Sequence, residues 1–321
     1  MTEKYQLDWK MKLLFWLLGH APSVSESNLQ QTRAGMDADP FGLFSRHIKV
    51  AGVENRLIPG THGDIPVRIY HPRKVGRLPL VVFFHGGGWA IGSLESHDAI
   101  CRRIAGENGA LVVSVGYRLA PEYKYPAAVE DAYDATCWAA EHAVELGADL
   151  NKLIVMGDSA GGNLAAVVTL ISRESNGPRI AFQVLIYPGV DLGGLQPSKE
   201  RYADNPFLNG QALKFYADQY IRQPADLKNP YVSPLLADDL RHLPPALILT
   251  AEYDPLHDEG ESYANCLRTA GNEVIYVCYP GMVHGFISFG SLANGTELAY
   301  AEIKQTLQGF SAGIPQPKGD E

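Results

Sequence analysis

Lys152-Leu153-Ile154-Val155-Met156-Gly157-Asp158-Ser159-Ala160-Gly161-Gly162-Asn163-Leu164-Ala165-Ala166 decides the fold. The apolar run at 152–156 reads as a buried strand, and the stretch after Gly162 reads as the first turns of a helix. Ser159 therefore stands on a strand–turn–helix corner. Holding a serine at such an apex strains the backbone and crowds strand against helix two residues to either side. Gly157 and Gly161 occupy those positions, where a Cβ would collide. A serine presented in this way is a candidate nucleophile.

A second motif, His85-Gly86-Gly87-Gly88-Trp89, follows the strand-like run Leu78-Pro79-Leu80-Val81-Val82-Phe83-Phe84. A serine that attacks an acyl group creates an oxyanion, and that oxygen needs donors already aimed at it. Glycine amides can supply them because no side chain blocks the approach. The amides of Gly87 and Gly88, joined by Ala160 after the nucleophile, are the expected donors, with Gly86 the weaker candidate. Alone, these glycines would read equally as a flexible turn; the Ser159 corner favours the donor reading.

The remaining members of a triad follow in the order acid, then histidine. His257 is tethered three residues after Asp254, whereas His284 sits between a strand-like run at 273–279 and Gly285. His284 is the expected general base. The run Ala246-Leu247-Ile248-Leu249-Thr250 reads as a buried strand with Asp254 just past its carboxyl end, where open α/β sheets bind ligands. Asp254 is the expected acid, with Glu252 and Asp258 as rivals; an Asp at a helix start has the bland reading of a cap.

Taken together, His85–Trp89, Tyr117-Arg118-Leu119-Ala120-Pro121-Glu122, Gly157–Gly162, Asp254-Pro255-Leu256-His257-Asp258-Glu259 and His284-Gly285-Phe286 resemble the hormone-sensitive-lipase-like, bacterial esterase branch of the α/β-hydrolase superfamily. The resemblance runs from about residue 45 to about residue 311 and shows no departure at a catalytic position. It implies an α/β-hydrolase fold, carboxylic-ester hydrolysis through Ser159, Asp254 and His284, and a helical cap over the site. Relatives that bind small hydrophobic ligands without turnover lack the catalytic histidine, which this chain keeps as His284. An amidase or carbamate hydrolase is the closer alternative, since the same triad serves either leaving group.

Strand-like segments near 47–58, 64–71, 78–84, 110–117, 152–157, 181–187, 245–251 and 273–279 alternate with helical patterns at 96–108, 127–146, 159–174, 257–270 and 296–310. That alternation predicts a mostly parallel, eight-stranded sheet flanked by helices, with an antiparallel hairpin at one edge. The rhythm breaks between Pro188 and Pro245, where two helical patterns replace the strand signal. The expected organisation is a catalytic domain over 46–191 and 231–321, with cap segments at 1–45 and 192–230. Trp89 and the cap should line an apolar pocket of limited depth, suited to short and medium acyl chains.

Composition narrows the partners. A net charge of −9 argues against nucleic acid, which demands a basic patch. The four scattered cysteines read as buried thiols in a reducing compartment, hence a cytoplasmic protein. The apolar stretch 11–20 is too short to span a bilayer, so no integral membrane segment is expected. It reads instead as an amphipathic cap helix closing the acyl pocket. Residues 312–321 read as a frayed tail. No metal-ligand spacing, P-loop or dinucleotide fingerprint is present, so no cofactor or metal is expected. The partner is a small-molecule ester, with a homodimer open. Within the motifs, Arg118 and Glu122 are expected to fix their loop by an internal ion pair, and Asp158 and His85 to hold neighbouring loops. Because an unperturbed histidine titrates near about 6.5, a rate carried by neutral His284 should fall on the acid side. A pH–rate profile flat down to pH about 4 would remove His284 from that role.

Overall fold

Uninterrupted apolar runs become the centre of the sheet. In the computed structural model, which describes residues 7, 9–18, 24–38, 48–74 and 76–312, β3 (Leu78–Phe84) and β4 (Leu111–Val115) are buried at every residue. Only strands covered on both faces behave so. Successive side chains of β3 point to opposite faces. Leu80, Val82 and Phe84 join the core under α4 (Ala127–Glu141), α5 (Ala160–Glu174) and α8 (His257–Thr269). Val81 and Phe83 join the core under α3 (Asp98–Asn108) and α9 (Asn294–Ala312).

The remaining strands are β1 (Gly52–Gly60), β2 (Gly63–His71), β5 (Ala148–Asp158), β6 (Phe182–Ile186), β7 (Ala246–Tyr253) and β8 (Val274–Val283). All eight form one sheet in the order β1-β2-β4-β3-β5-β6-β7-β8. The expected edge hairpin is present: β1 and β2 pair antiparallel from Gly52↔His71 to Gly60↔Gly63. β2 also pairs antiparallel with β4, and every later pairing is parallel. After β3 the chain steps outward to β4, then returns to the other side of β3 as β5. That reversal opens a crevice at the carboxyl ends of β3 and β5, where the glycine loop and Ser159 lie.

Several boundaries differ from the sequence reading, among them the start of β5 at Ala148 rather than 152. β1 starts at Gly52 rather than 47, once pairing with β2 begins. α4 stops at Glu141, and residues 142–147 form turns that deliver Ala148 to pair with Leu78. β8 runs on to Val283 because a register shift lets Val283 pair with Tyr253. Residues 280–283, beyond the strand-like run at 273–279, are therefore strand, and His284 sits directly at its end.

Between β6 and β7 the segment 192–230 holds α6 (Pro197–Arg201), α7 (Gly210–Tyr220) and a 3-10 turn at Pro224–Lys228. Asn209 caps α7 by accepting the Ala212 amide at 2.8 Å. At the amino end lies α1 (Trp9–Leu18). Met11 is buried in the α3/α9 core and Lys10 reaches the Ser291 carbonyl at 3.0 Å, while Trp9 and Leu13 face solvent. α2 (Leu29–Asp37) borders the crevice through Met36.

The internal ion pair expected at 117–122 is absent. Arg118 instead forks onto the buried carboxylate of Asp131 with Nε and Nη2 at 2.8–3.0 Å, and Glu122 is taken by Arg33 of α2 at 2.8 Å. A guanidinium meets a carboxylate best side-on, and those partners lie on other elements. The expected tail beyond residue 312 falls outside the described residues.

The closest approach of backbone to a described glycine is at Gly161, where a Cβ would lie 1.9 Å from the Phe84 carbonyl oxygen and 2.6 Å from that of His85. Backbone cannot yield as a side chain would, so Gly161→Ala should cost at least about 3 kcal/mol, the top of the overpacking range. Gly35→Ala, on α2 with nothing within 4 Å, should be neutral or stabilising by up to about 1 kcal/mol. Thermal unfolding followed by circular dichroism separates the two.

Candidate active site

β5 ends at Asp158 and α5 begins at Ala160, leaving Ser159 alone at the corner with φ 54° and ψ −117°. Few non-glycine residues adopt such angles, and three backbone bonds hold this one there. The Ser159 amide donates to Ile186 O at 2.8 Å, and its carbonyl accepts from Asn163 N at 3.0 Å and Gly189 N at 3.3 Å. The crowding read from the two flanking glycines is real. A Cβ on Gly157 would meet Gly161 O at 2.3 Å and Phe84 O at 2.6 Å, so the collision involves β3 as well as the helix.

β8 carries His284 to the same point. Its Nε2 lies 2.9 Å from Ser159 Oγ, and its Nδ1 lies 2.7 Å from Oδ2 of Asp254 at the end of β7. Asp254 is fully buried, and its Oδ1 accepts the Leu256 amide at 2.8 Å. With Nδ1–H donated to this carboxylate, Nε2 is left as the acceptor for the serine hydroxyl. The rivals are engaged elsewhere. Glu252 accepts the Gly281 amide at 2.8 Å, and Asp258 accepts from Ser198 N and His257. His257 itself is raised to about 9 by its hydrogen bonds to Cys278 and Asp258.

The glycine loop is aimed by its own carbonyls. In a trans peptide the C=O and N–H point in opposite directions. Gly86 O faces His85 Nδ1 at 2.8 Å, which turns the Gly87 N–H the other way. Gly87 O accepts from Ala90 N at 3.1 Å and Ile91 N at 2.9 Å, which does the same for Gly88 N–H. Gly87 and Gly88 have φ of 119° and 57°, in the region that favours glycine. No described residue accepts from either amide, whereas the Gly86 amide is spent on Asp158 and His97. His85 is enclosed and stacked on Tyr117 at 4.2 Å; burial lowers it to about 3, keeping the ring neutral.

A cavity of about 670 Å³ opens over these groups, bordered by Gly87, Gly88, Trp89, Ser159, Ala160 and His284. Trp89 is 5% exposed, and its indole stacks on Tyr220 of α7 at 4.2 Å, so it acts as a wall. Apolar residues of the 192–230 segment complete the enclosure, among them Leu208, Leu213, Tyr216 and Leu227, with Met36 from α2. Tyr216 packs so tightly that a Cβ on Gly88 would fall 2.2 Å from its ring. No sequence signal could pair those two, 128 positions apart by number (216 − 88).

Glu259 also borders the cavity. It is fully buried, meets Lys199 of α6 at 2.7 Å and accepts the Val190 and Asp191 amides at 2.7 and 3.2 Å. Burial pushes it up to about 7 even with Lys199 beside it. It ties α8 to the loop whose Gly189 holds the Ser159 carbonyl. Among the described residues no group of three or more His, Cys, Asp or Glu could hold a metal ion, and no helix is long and apolar enough to cross a membrane.

Known proteins resemble this chain in sequence and fold. A family model described as an alpha/beta hydrolase fold matches residues 81–288. The chain is 44% identical over 289 residues to the carboxylic ester hydrolase LipN of Mycobacterium tuberculosis, covering 88% of this chain and 77% of that one. It is 40% identical over 250 residues to an ethyl acetate hydrolase of Pseudomonas putida, covering 76% and 78%. A solved hyperthermophilic esterase from Pyrobaculum calidifontis superposes with a TM-score of 0.91 at 41% identity, covering 96% of this chain and 99% of that one.

The hydrogen-bond partners separate the two candidate acids. Asp254→Ala should lower kcat on a chromogenic ester by about 10³–10⁴. Glu252→Gln should leave kcat nearly unchanged, because its amide oxygen can still accept from Gly281. Steady-state rates of the two variants check this.

Proposed function

The chain belongs to the α/β-hydrolase family and is a carboxylic-ester hydrolase; from that premise we propose that Ser159, His284 and Asp254 are its catalytic triad. The observation that carries this reading is the unbroken string Ser159 Oγ–His284 Nε2, 2.9 Å, and His284 Nδ1–Asp254 Oδ2, 2.7 Å. His284 takes the serine proton as Oγ attacks the ester carbonyl, and Asp254 fixes the tautomer and stabilises the imidazolium. The amides of Gly87, Gly88 and Ala160 receive the oxyanion. One such donor is worth about 10²–10³ in rate. His284 then protonates the departing alcohol, and water, activated by the same imidazole, releases the acid from the acyl-enzyme.

We assign the segments 1–45 and 192–230 to a cap that sets substrate size, with 46–191 and 231–321 as the catalytic domain. The apolar closure of the cavity by Leu208, Leu213, Tyr216 and Leu227 supports short and medium acyl chains as substrates. The outer edge of β8 has no strand beside it among the described residues, which supports a homodimer joined sheet to sheet. Four cysteines with no disulfide support a reducing compartment such as the cytoplasm.

Hydrolysis of p-nitrophenyl esters from acetyl to hexadecanoyl, by the wild type and Ser159→Ala side by side, tests the reading. Activity concentrated on the short and medium chains and abolished in the variant is expected. Rates that climb steadily from hexanoyl to hexadecanoyl would overturn the size limit, and full activity in Ser159→Ala would overturn the nucleophile.

A further inference from the structure

Asp158, the residue before the nucleophile, takes no part in the acyl-transfer steps, yet it is buried at the cavity wall. Its Oδ1 accepts the Gly86 amide at 2.9 Å and lies 3.2 Å from His97 Nε2. His97, buried at the start of α3, has its Nδ1 2.9 Å from Ser96 Oγ, and that oxygen also accepts the Ser93 amide at 2.8 Å. The result is a second Ser–His–Asp string, Ser96–His97–Asp158, behind the glycine loop. It contains no free nucleophile, because Ser96 Oγ is committed to its own turn, bonding both Ser93 N and Ser93 O.

What this string does follows from the peptide unit it grips. Asp158 holds the N–H of the His85–Gly86 unit, and the Tyr117 hydroxyl donates to its C=O at 2.8 Å. A planar unit fastened at both ends cannot rotate. The next unit begins at Gly86, and its N–H is that of Gly87, one of the two loop donors. Asp158 also shares a peptide bond with Ser159. Its backbone therefore carries the nucleophile while its side chain carries the oxyanion loop.

We infer that Asp158 and His97 are positioning residues that lock the oxyanion loop to the nucleophile elbow, fixing how far the attacking oxygen sits from the oxyanion donors. The inference rests on the triad reading above. Burial works against the charge of Asp158, but His97 beside it and the Gly86 amide outweigh it and hold the carboxyl below its ordinary range. It therefore remains a strong acceptor, where an alanine would leave the Gly86 N–H only the longer contact to His97 Nε2 at 3.2 Å. Loss of aim should appear in the transition state more than in ground-state binding.

The test compares Asp158→Ala, Asp158→Asn and His97→Ala with the wild type on p-nitrophenyl butyrate, with hydrogen exchange of the 85–92 segment read alongside. For Asp158→Ala a fall in kcat of about 10- to 100-fold with KM within about twofold is expected, below the loss of a whole donor. Asp158→Asn should restore most of that kcat, because its amide oxygen can still accept from Gly86. Exchange at 85–92 should quicken in the alanine variant and stay near wild type in the asparagine one. Should Asp158→Ala not fold, His97→Ala serves in its place, with a smaller loss of kcat and faster exchange. A folded variant that loses thermal stability but keeps kcat overturns the inference, as does an asparagine variant as impaired as the alanine one. A wild type inert on every ester would instead count against the esterase reading. Exchange at 85–92 would then decide alone, with unchanged exchange in the alanine variants overturning the inference.

Discussion

Two backbones come so close at the carboxyl ends of β3 and β5 that no Cβ fits between them. Gly161 faces the carbonyls of Phe84 and His85, and Gly157 faces Gly161 and Phe84. Everything reactive depends on that approach. It sets the start of α5 directly against the end of β3, so Ser159 and the loop 86–88 share one crevice. Larger residues at either glycine would push α5 off the sheet and separate the nucleophile from the donors for its oxyanion. The strained φ of Ser159 is the local cost, and the bonds to Ile186, Asn163 and Gly189 over-determine it.

Buried carboxylates then fasten the loops around this contact. Asp254 holds His284 and the Leu256 amide; Asp158 holds the Gly86 amide; Glu259 holds the Val190 and Asp191 amides; Asp131 holds Arg118 and its amide. Each is a carboxyl group taken out of water, tolerable because N–H groups meet it. Each grips a loop leaving the carboxyl edge of the sheet, where irregular backbone has no ladder to satisfy it. A site built from loops is thereby as fixed as one built on strands. The substrate-facing wall is of another kind: Leu208, Leu213, Tyr216 and Leu227 enclose space by shape alone.

The catalytic constellation was legible because its chemistry constrains residue type at short spacing. A nucleophile corner needs glycine two residues to either side, and a donor loop needs consecutive glycines, so Ser159, Gly87 and Gly88 announce themselves. Asp254 and His284 were found by chain order and by the strands ahead of them. Glu252 and Asp258 could be set aside only when their partners, Gly281 and Ser198, were seen. The motif at 117–122 misled, since a nearby Arg and Glu suggest a pair, yet Asp131 and Arg33 offered better side-on geometry from other elements. The amino-terminal helix shows a related limit of the sequence. Its apolar composition announced burial but not the surface that would receive it, and Met11 went to the α9 side.

The sequence by itself determined the order of strands and helices, the doubly covered sheet and the candidates proposed to carry the reaction. These depend on hydrophobic periodicity and on steric demands confined to a few neighbours in the chain. Tertiary structure alone decided which side chains wall the cavity, that Tyr216 lies on Gly88, and that Asp158 reaches back to Gly86. Such contacts join residues scores of positions apart, and their energy depends on shape and distance in space. A one-dimensional pattern carries neither.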